Sequence, residues 1–384
     1  MNANRSSGPL SNVRVLEIGQ YVAGPMATMA LADLGADVVK VEPLPKGDAF
    51  RTYGLRRSGF SAFWINVNRG KRSVALDLKN PDDADRCRDL ARRADVVLLT
   101  SRPGALDSVG FDDASLEALN SSLIRVHVTG FGPGGPRMGQ PVFDNLVQGL
   151  SGLAAFQGGA NAPATLAPMV VDKVAALTIA NATLAALYAR SVSGGGIRVD
   201  VSLLDAAAYW NFPDVFQDRT FVSDDRRTGR LPSPIAATED GQITLSPVSG
   251  RQISRTADAF GHPEWVASLK QFDSHVELMK ELMRLVESVT RSMTTDEVLD
   301  LLTRFDVPAG PVLSLDEHLA DPQVVHNELY EIVEDRALGE VRVVRSPALF
   351  DGQPQRAPFH VPALGEDVAT VAHDWQVPSL EEKE

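Results

Sequence analysis

Residues 13–43 read VRVLEIGQYVAGPMATMALADLGADVVKVEP. The run from Val13 to Ile18 is short and β-branched, and MATMALADLG carries helical spacing. Gly35 then stops the helix, and ADVVKVEP is a second strand. A strand, a helix and a strand in so short a span form a β-α-β unit, which implies a parallel sheet. The alternation continues beyond it. RSVALDL (72–78) and ADVVLLT (94–100) bracket the polar helical stretch DDADRCRDLARR, and SLIRVHVTG (122–130) follows the short helix SLEALN. The expected fold is α/β, with a Rossmann-like large domain on an open sheet.

Further along, RVDVSLLDAAAYW (198–210) is a strand leading into a helix, where Tyr209 and Trp210 are expected in the core. DDRRTGRLPSP (224–234) has the composition of a linker. ATEDGQITLSP is a hairpin turning at Asp240-Gly241, helical patterns fill 254–304, and VPAGPV is a rigid loop. The tail, EVRVVRSPALF and the prolines after it, is extended and expected to lie across another surface. This divides the chain into a large domain (1–200), a linker (201–230), a small α+β domain (231–325), and a C-terminal linker and tail returning to the large domain (326–384).

Bulk composition limits the function. With 384 residues, 44% hydrophobic and 23% charged, the chain has the make-up of a globular enzyme rather than a disordered segment. A net charge of −13 argues against nucleic acid or an anionic membrane as the main partner, though not against a local basic pocket. The single cysteine, Cys87, excludes an internal disulfide and a multi-cysteine metal site, and its polar surroundings read as a solvated helix with an inert thiol. MNANRSSGPL has no apolar core of a signal peptide and no uninterrupted 18-residue apolar span occurs, so a cytoplasmic protein is expected.

Several motifs fail on inspection. Gly130, Gly132 and Gly135 match G-x-G-x-x-G after a strand, but Pro133 and Pro136 interrupt the loop and PRMGQP is no helix to aim at a pyrophosphate. The turn from Gly19 to Gly24 has P-loop spacing, yet Pro25-Met26 stands where Lys-Ser/Thr is needed. The seven histidines form no HExxH pair, no G-x-S-x-G elbow occurs, and no metal site is expected.

One carboxylate stands out. Asp172, in MVVDKVAAL, lies between a small apolar run and a long apolar helical pattern. A plain helix cap there contributes about 1 kcal/mol. A nucleophile at the same place would be held ionised by the free N–H groups and the helix dipole, and a carboxylate needs no general base to react.

The phrases VRVLEIGQYVAGP, LADLGADVVKVEP with a following GD, NVNRGKRSVALDLK, SRPGALDSVGFD, VTGFGPGGP, FDNLVQGLSG, VVDKVAAL, GGGIRVDVSLLDA, FDVPAGPV and DPQV occur in one fixed order. This set, spanning residues 8–370, resembles the family III CoA-transferases, the group containing formyl-CoA transferase and carnitine CoA-transferase. The resemblance implies a two-domain chain forming an interlocked, ring-through-ring homodimer. It also implies coenzyme A and acyl-CoA as substrates with no tightly bound cofactor, and transfer of CoA from an acyl-CoA donor to a carboxylic acid acceptor. Asp172 matches the family nucleophile, which passes through aspartyl anhydride and aspartyl-CoA thioester intermediates. Asp144 matches an acid beside it, which orients substrate, stabilises charge or caps the helix NLVQGLSGL.

Around CoA the resemblance places Val22 and Ala23 of the first turn, Leu76 and Lys79 in LDLK, Thr100 and Arg102 in TSRPG, and Phe143. Lys79 is either a phosphate contact or a solvated lysine, and the Arg102 guanidinium suits a phosphate. There are departures. Thr100-Ser101 replaces Asn-Phe, Ser108 or Val109 replaces a basic residue, and Pro43 replaces an arginine. The glycine-rich loop of formyl-CoA transferase has no counterpart near SPVSGRQ.

Three alternatives share these residues. An α-methylacyl-CoA racemase needs two proton-exchanging bases, and Val142-Phe143 stands where racemases carry a histidine. An isomerase would move CoA within one dicarboxylate through the same aspartate, and an acyl-CoA-binding subunit would perform no chemistry.

Overall fold

In the computed structural model, which describes residues 8–159 and 161–380, the chain divides into two compact units. The first runs up to Phe216 and resumes at Leu329; the second is Gln217–Glu328.

The first unit is a parallel α/β layer structure. In chain order it comprises β1 (Arg14–Ile18), α1 (Ala23–Asp33), β2 (Asp37–Pro43), the small hairpin β3 (Arg56–Arg57) and β4 (Phe60–Ser61), and α2 (Ala62–Asn68). There follow β5 (Arg72–Leu76), α3 (Pro81–Arg93), β6 (Val96–Leu99), α4 (Asp113–Leu119), β7 (Ile124–Thr129), α5 (Asp144–Leu150) and α6 (Leu153–Gly158). Then come α7 (Val170–Ser193), β8 (Arg198–Ser202) and α8 (Leu203–Asn211). The main sheet has the order β5-β2-β1-β6-β7-β8, every pairing parallel. Read in chain order of the strands this is 3-2-1-4-5-6, the doubly wound order with its switch point between β1 and β6.

Each face of the sheet carries its own core. On one side α1, α7 and α8 pack on Val15, Val38, Leu98, Val126 and Val128. On the other, Leu16, Val39, Val74 and Val97 meet Cys87 and Leu90 of α3 and Leu116 of α4. Cys87 is thus fully buried rather than on a solvated helix, and burial pushes its thiol well above the ordinary range. The thiol stays protonated because no water reaches it.

Helix α7 corrects another expectation. By length and composition it is apolar enough to cross a membrane, yet Val171, Ala175, Ala176 and Ile179 of its inner face belong to the core. Helix α8, placed by sequence in a linker, buries Leu203, Ala206 and Ala207 in the same core, which fixes it to the large unit. Its aromatic pair is not core: Tyr209 is 85% and Trp210 46% exposed, because the apolar face of α8 is made by its leucine and alanines.

The second unit has a three-stranded antiparallel sheet, β9 (Ile235–Ala237), β10 (Gln242–Leu245) and β11 (Ala309–Pro311), ordered β11-β10-β9. VPAGPV is therefore not simply a loop, since Ala309–Pro311 pairs with β10 as an edge strand, where proline is tolerated. Its helices are α9 (Gly250–Ala259), α10 (Trp265–Leu269), α11 (His275–Thr290), α12 (Thr295–Arg304), α13 (Leu315–Ala320) and α14 (Pro322–His326). Ile243, Leu245, Trp265, Leu282, Val286 and Leu302 form their common core.

After Leu329 the chain forms the hairpin β12 (Tyr330–Asp335) and β13 (Gly339–Val344), then the short pair β14 (Leu349–Phe350) and β15 (Gln353–Pro354). The tail does not stay extended. It forms α15 (Val368–Trp375), whose Val371, Ala372 and Trp375 join the core beside β5 and β2. Trp375 donates its indole N–H to Asp37 at 2.8 Å, and Arg72 bridges Asp37 and Asp374 at 2.5 and 3.1 Å. Burying three such side chains contributes about 1.5–3 kcal/mol each for Val and Trp, less for Ala.

Candidate active site

The site begins at the turn after β1, residues 19–22. A cluster of fully buried charges lies beneath it: Glu17 accepts from Lys40 at 2.6 Å and from Lys71 at 2.8 Å, and Lys40 also meets Asp48 at 3.0 Å. The same ammonium groups hold backbone. Lys40 donates to the Gly19 carbonyl at 2.7 Å and Lys71 to the Pro25 carbonyl at 2.7 Å. Two amides of the turn are also fixed, Gln20 N–H to Thr100 Oγ1 at 3.1 Å and Tyr21 N–H to Asp48 Oδ1 at 3.3 Å. Tyr21 accordingly sits at φ 67°, a strained conformation for an aromatic residue, which the surrounding bonds impose. Gly24 lets the turn close on β6, since a Cβ there would lie 2.4 Å from the Thr100 methyl. The amides of Val22, Ala23 and Gly24 find no protein acceptor among the described residues, so the start of α1 presents free N–H groups.

Burial alone would raise Glu17, but the two lysines overcome it and lower its pKa to about 2. Burial lowers Lys71 to about 8, with Lys40's charge adding to that and Glu17 opposing it. Lys40, facing Glu17, Asp48 and Glu42, is raised despite its burial.

A cavity of about 1190 Å³ lies over the carboxyl ends of the sheet strands. Residues at or just beyond the ends of all six strands line it, the position an open α/β sheet reserves for ligands. Crossing six strands means a reach of about 24 Å at ~4.8 Å per strand. The cavity brings together Val22, Ala23, Leu76, Lys79, Thr100, Arg102, Phe143 and Asp172. Asp144 is the exception among the candidate residues: it is buried behind Asp172 and outside the lining.

Asp172 is the third residue of α7, three beyond Met169, the position a capping side chain would occupy. It caps nothing. The capping is done from outside, by Asp144, whose Oδ2 accepts the Asp172 amide N–H at 3.0 Å. Asp144 does not cap its own helix either, since Phe143 holds the cap position of α5. Gln148, one turn along, donates to Asp144 Oδ1 at 2.6 Å and accepts from the Leu166 amide at 2.8 Å, tying α5 to the approach of α7.

The expectation that the helix start holds Asp172 ionised fails. Its carboxylate accepts no hydrogen bond among the described residues, and burial, reinforced by the negative charge of Asp144, raises its pKa to about 7. The dipole of a helix is worth about 0.3–1 kcal/mol to an acid in its first turn, too little to offset both effects. Near neutral pH the carboxyl is therefore present in both its protonated and its ionised form.

Sequence reasoning missed Lys40, Lys71 and Asp48, which fix the turn, and Gln148, which fixes Asp144. A signal was present for one of them: Lys40 interrupts an otherwise apolar parallel strand, a place that demands a buried partner. It also missed Arg88 of α3, a further cation of the cavity, paired with Asp85 and donating to the Val109 carbonyl. The failed G-x-G-x-x-G has a structural use instead. A Cβ at Gly130 would lie 2.2 Å from Val142, so the glycine lets the loop fold back toward α5.

Comparison with known proteins gives one answer. The chain matches CoA-transferase family III over residues 10–368. It is 32% identical to a succinyl-CoA–D-citramalate CoA-transferase of Chloroflexus aurantiacus, covering 95% of this chain and 94% of that one. It is 32% identical to a succinate–glutarate CoA-transferase of Agrobacterium fabrum, covering 94% of each. Among solved structures, a CaiB/BaiF family protein from Brucella suis superposes with a TM-score of 0.82 at 27% identity, covering 96% of this chain and 99% of that one. From the match along nearly its whole length, the chain belongs to CoA-transferase family III.

Proposed function

We propose that the protein moves CoA from an acyl-CoA to a free carboxylic acid, with Asp172 as the covalent carrier. A single observation carries this: a half-buried carboxylate with no partner shares one cavity with three cations and a free helix start. Lys79, Arg88 and Arg102 suit the phosphates of CoA, and the amides of Val22, Ala23 and Gly24 suit oxygen atoms that gain negative charge.

The ionised Asp172 attacks the thioester carbonyl, expelling CoA thiolate and leaving a mixed anhydride. The thiolate attacks the aspartyl carbonyl of that anhydride, releasing the first acid and forming an aspartyl-CoA thioester. The acceptor carboxylate then attacks this thioester, regenerating thiolate and a second anhydride. Thiolate attack on its acyl carbonyl yields the new acyl-CoA and restores Asp172. No proton need be moved at any step, so the protonated fraction of Asp172 is simply inactive. The raised pKa makes the remaining carboxylate more basic and more nucleophilic.

The acting form is proposed to be a homodimer, supported by an exposed apolar set on α7 and α8: Leu177, Tyr188, Val192, Tyr209 and Trp210. Succinate, glutarate and citramalate, the acids in the relatives' names, are starting substrates for assay. Incubation with acyl-CoA and hydroxylamine, followed by peptide mass spectrometry, should yield a hydroxamate at Asp172. An enzyme that exchanges CoA with Asp172 unlabelled, or an Asp172→Asn variant of full activity, would sink the covalent mechanism.

A further inference from the structure

The chemistry of the cavity is divided between the two faces of the sheet, the cations lying on the side of α3 and Asp172 on the side of α1 and α7. Its cations, Lys79, Arg88 and Arg102, follow β5, sit on α3 and follow β6. The wall around Asp172 is aromatic. Phe143 immediately precedes Asp144, the residue that holds the Asp172 amide, and its ring packs edge-on against Tyr21 at 5.4 Å. Tyr21 in turn meets Phe50 at 5.7 Å and Tyr53 at 6.5 Å, both edge-on, and Phe50 meets Phe63 at 5.2 Å. Five rings are thus connected, of which Phe143 and Tyr21 line the cavity and Phe50, Tyr53 and Phe63 lie beyond its lining, Phe50 being buried. The set is not closed core: Phe143 is 58% exposed, and Tyr53 and Phe63 are also exposed. Asp144 adds negative charge behind the nucleophile, and no lysine or arginine lines this end of the cavity among the described residues.

From this division we propose that the acyl group carried on Asp172 is that of a monocarboxylic acid with an apolar, ring-sized body, not of a dicarboxylate. The inference rests on the transfer reading above. A second carboxylate on the acyl group would be desolvated against rings and repelled by Asp144. An aromatic or branched body would instead meet the Phe143 and Tyr21 rings, at the kind of edge-on separation those two keep between themselves.

The test uses the full chain and single-turnover formation of the enzyme–CoA adduct, from 3-phenylpropanoyl-CoA against succinyl-CoA and glutaryl-CoA. The aromatic thioester should react about tenfold or more faster. Phe143→Ala should collapse that ratio, and Phe143→Arg, which supplies a cation, should invert it. Phe143 is exposed, so folding is not at stake, and circular dichroism checks this. Equal or faster reaction of the dicarboxylic thioesters with wild type, Asp172 still being labelled, overturns the inference and leaves transfer standing. A wild-type preference for the aromatic thioester that survives Phe143→Arg also overturns the assignment to this face. Failure of every thioester to label Asp172 overturns the transfer reading itself, and this inference with it.

Discussion

Glu17 and Asp172 are both carboxylates removed from bulk water in the same unit, and they move in opposite directions. Glu17 falls to about 2 and Asp172 rises to about 7. Burial pushes both upward; what differs is the neighbour. Glu17 receives two ammonium groups and the Thr28 hydroxyl, and it serves as an immobile anchor under the first turn. Asp172 has only another acid beside it, so its charged form is poorly satisfied. One arrangement spends its electrostatics on rigidity, and the other leaves a carboxylate in need of a bond.

The sharpest break in that contrast is at Asp172 itself. Asp172→Asn should reduce CoA transfer by at least about 10⁴-fold, since no second nucleophile lines the cavity wall at that position; steady-state kinetics reads this. The opposite end is Lys40→Met, which leaves Glu17 and Asp48 short of a partner. It should cost about 3–5 kcal/mol by urea denaturation, and the turn at Gly19 should lose protection from hydrogen exchange.

Intermediate effects refine the comparison. Asp144→Asn keeps an oxygen for the Asp172 amide but removes the charge. The acid limb of kcat/KM, expected near pH 7 in the wild type, should move down, by less than the whole shift because burial is the larger cause. No movement would mean that burial alone sets the Asp172 value.

Stability should follow the same signs. A group whose folded pKa is raised binds its proton more tightly when folded, so Asp172 detracts from stability as pH rises from about 4 through about 7. Asp172→Asn should therefore stabilise the protein by about 1–2 kcal/mol at pH 8 and by little at pH 4, after allowing for partial exposure. Glu17 works the other way, its contribution being complete above its ordinary value of 4.5 and lost as pH falls toward 2. The smallest effect belongs to the cavity's far end, where Arg102→Ala should raise KM for acyl-CoA by about tenfold with kcat little changed.

Local pattern made much of this legible. Strand, helix and glycine signals in 13–43 report backbone preferences that the packed unit keeps, which is why the parallel sheet could be read directly. Asp172 could be singled out because ordered phrases surround it. Its ionisation could not, because that depends first on how deeply the fold buries it and then on Asp144, a neighbour across 28 residues of chain. Lys71 was passed over for the same reason, since it looks like a surface lysine until Glu17 is placed beside it, whereas Lys40 did carry a signal in its apolar strand. The aromatic pair on α8 misled in the reverse sense. An apolar helix was visible in the sequence, but which of its sides meets the core is decided by Leu203, Ala206 and Ala207. The tail concealed α15 because prolines dominate the composition before it, while Trp375 has its partner at Asp37 near the other end of the chain.

That last pairing has a consequence for how the protein is made. On the ribosome, β2 emerges long before the helix that covers it. At about 5–20 residues per second, tens of seconds separate Asp37 from Trp375. Throughout that interval the part of the sheet face at β5 and β2 that α15 covers stays exposed, while the whole of 217–328, a compact unit of its own, is synthesised. The β5 end of the cavity is therefore finished last, and a nascent chain stalled before residue 368 should be a client for holdase chaperones even with Asp172 already in place.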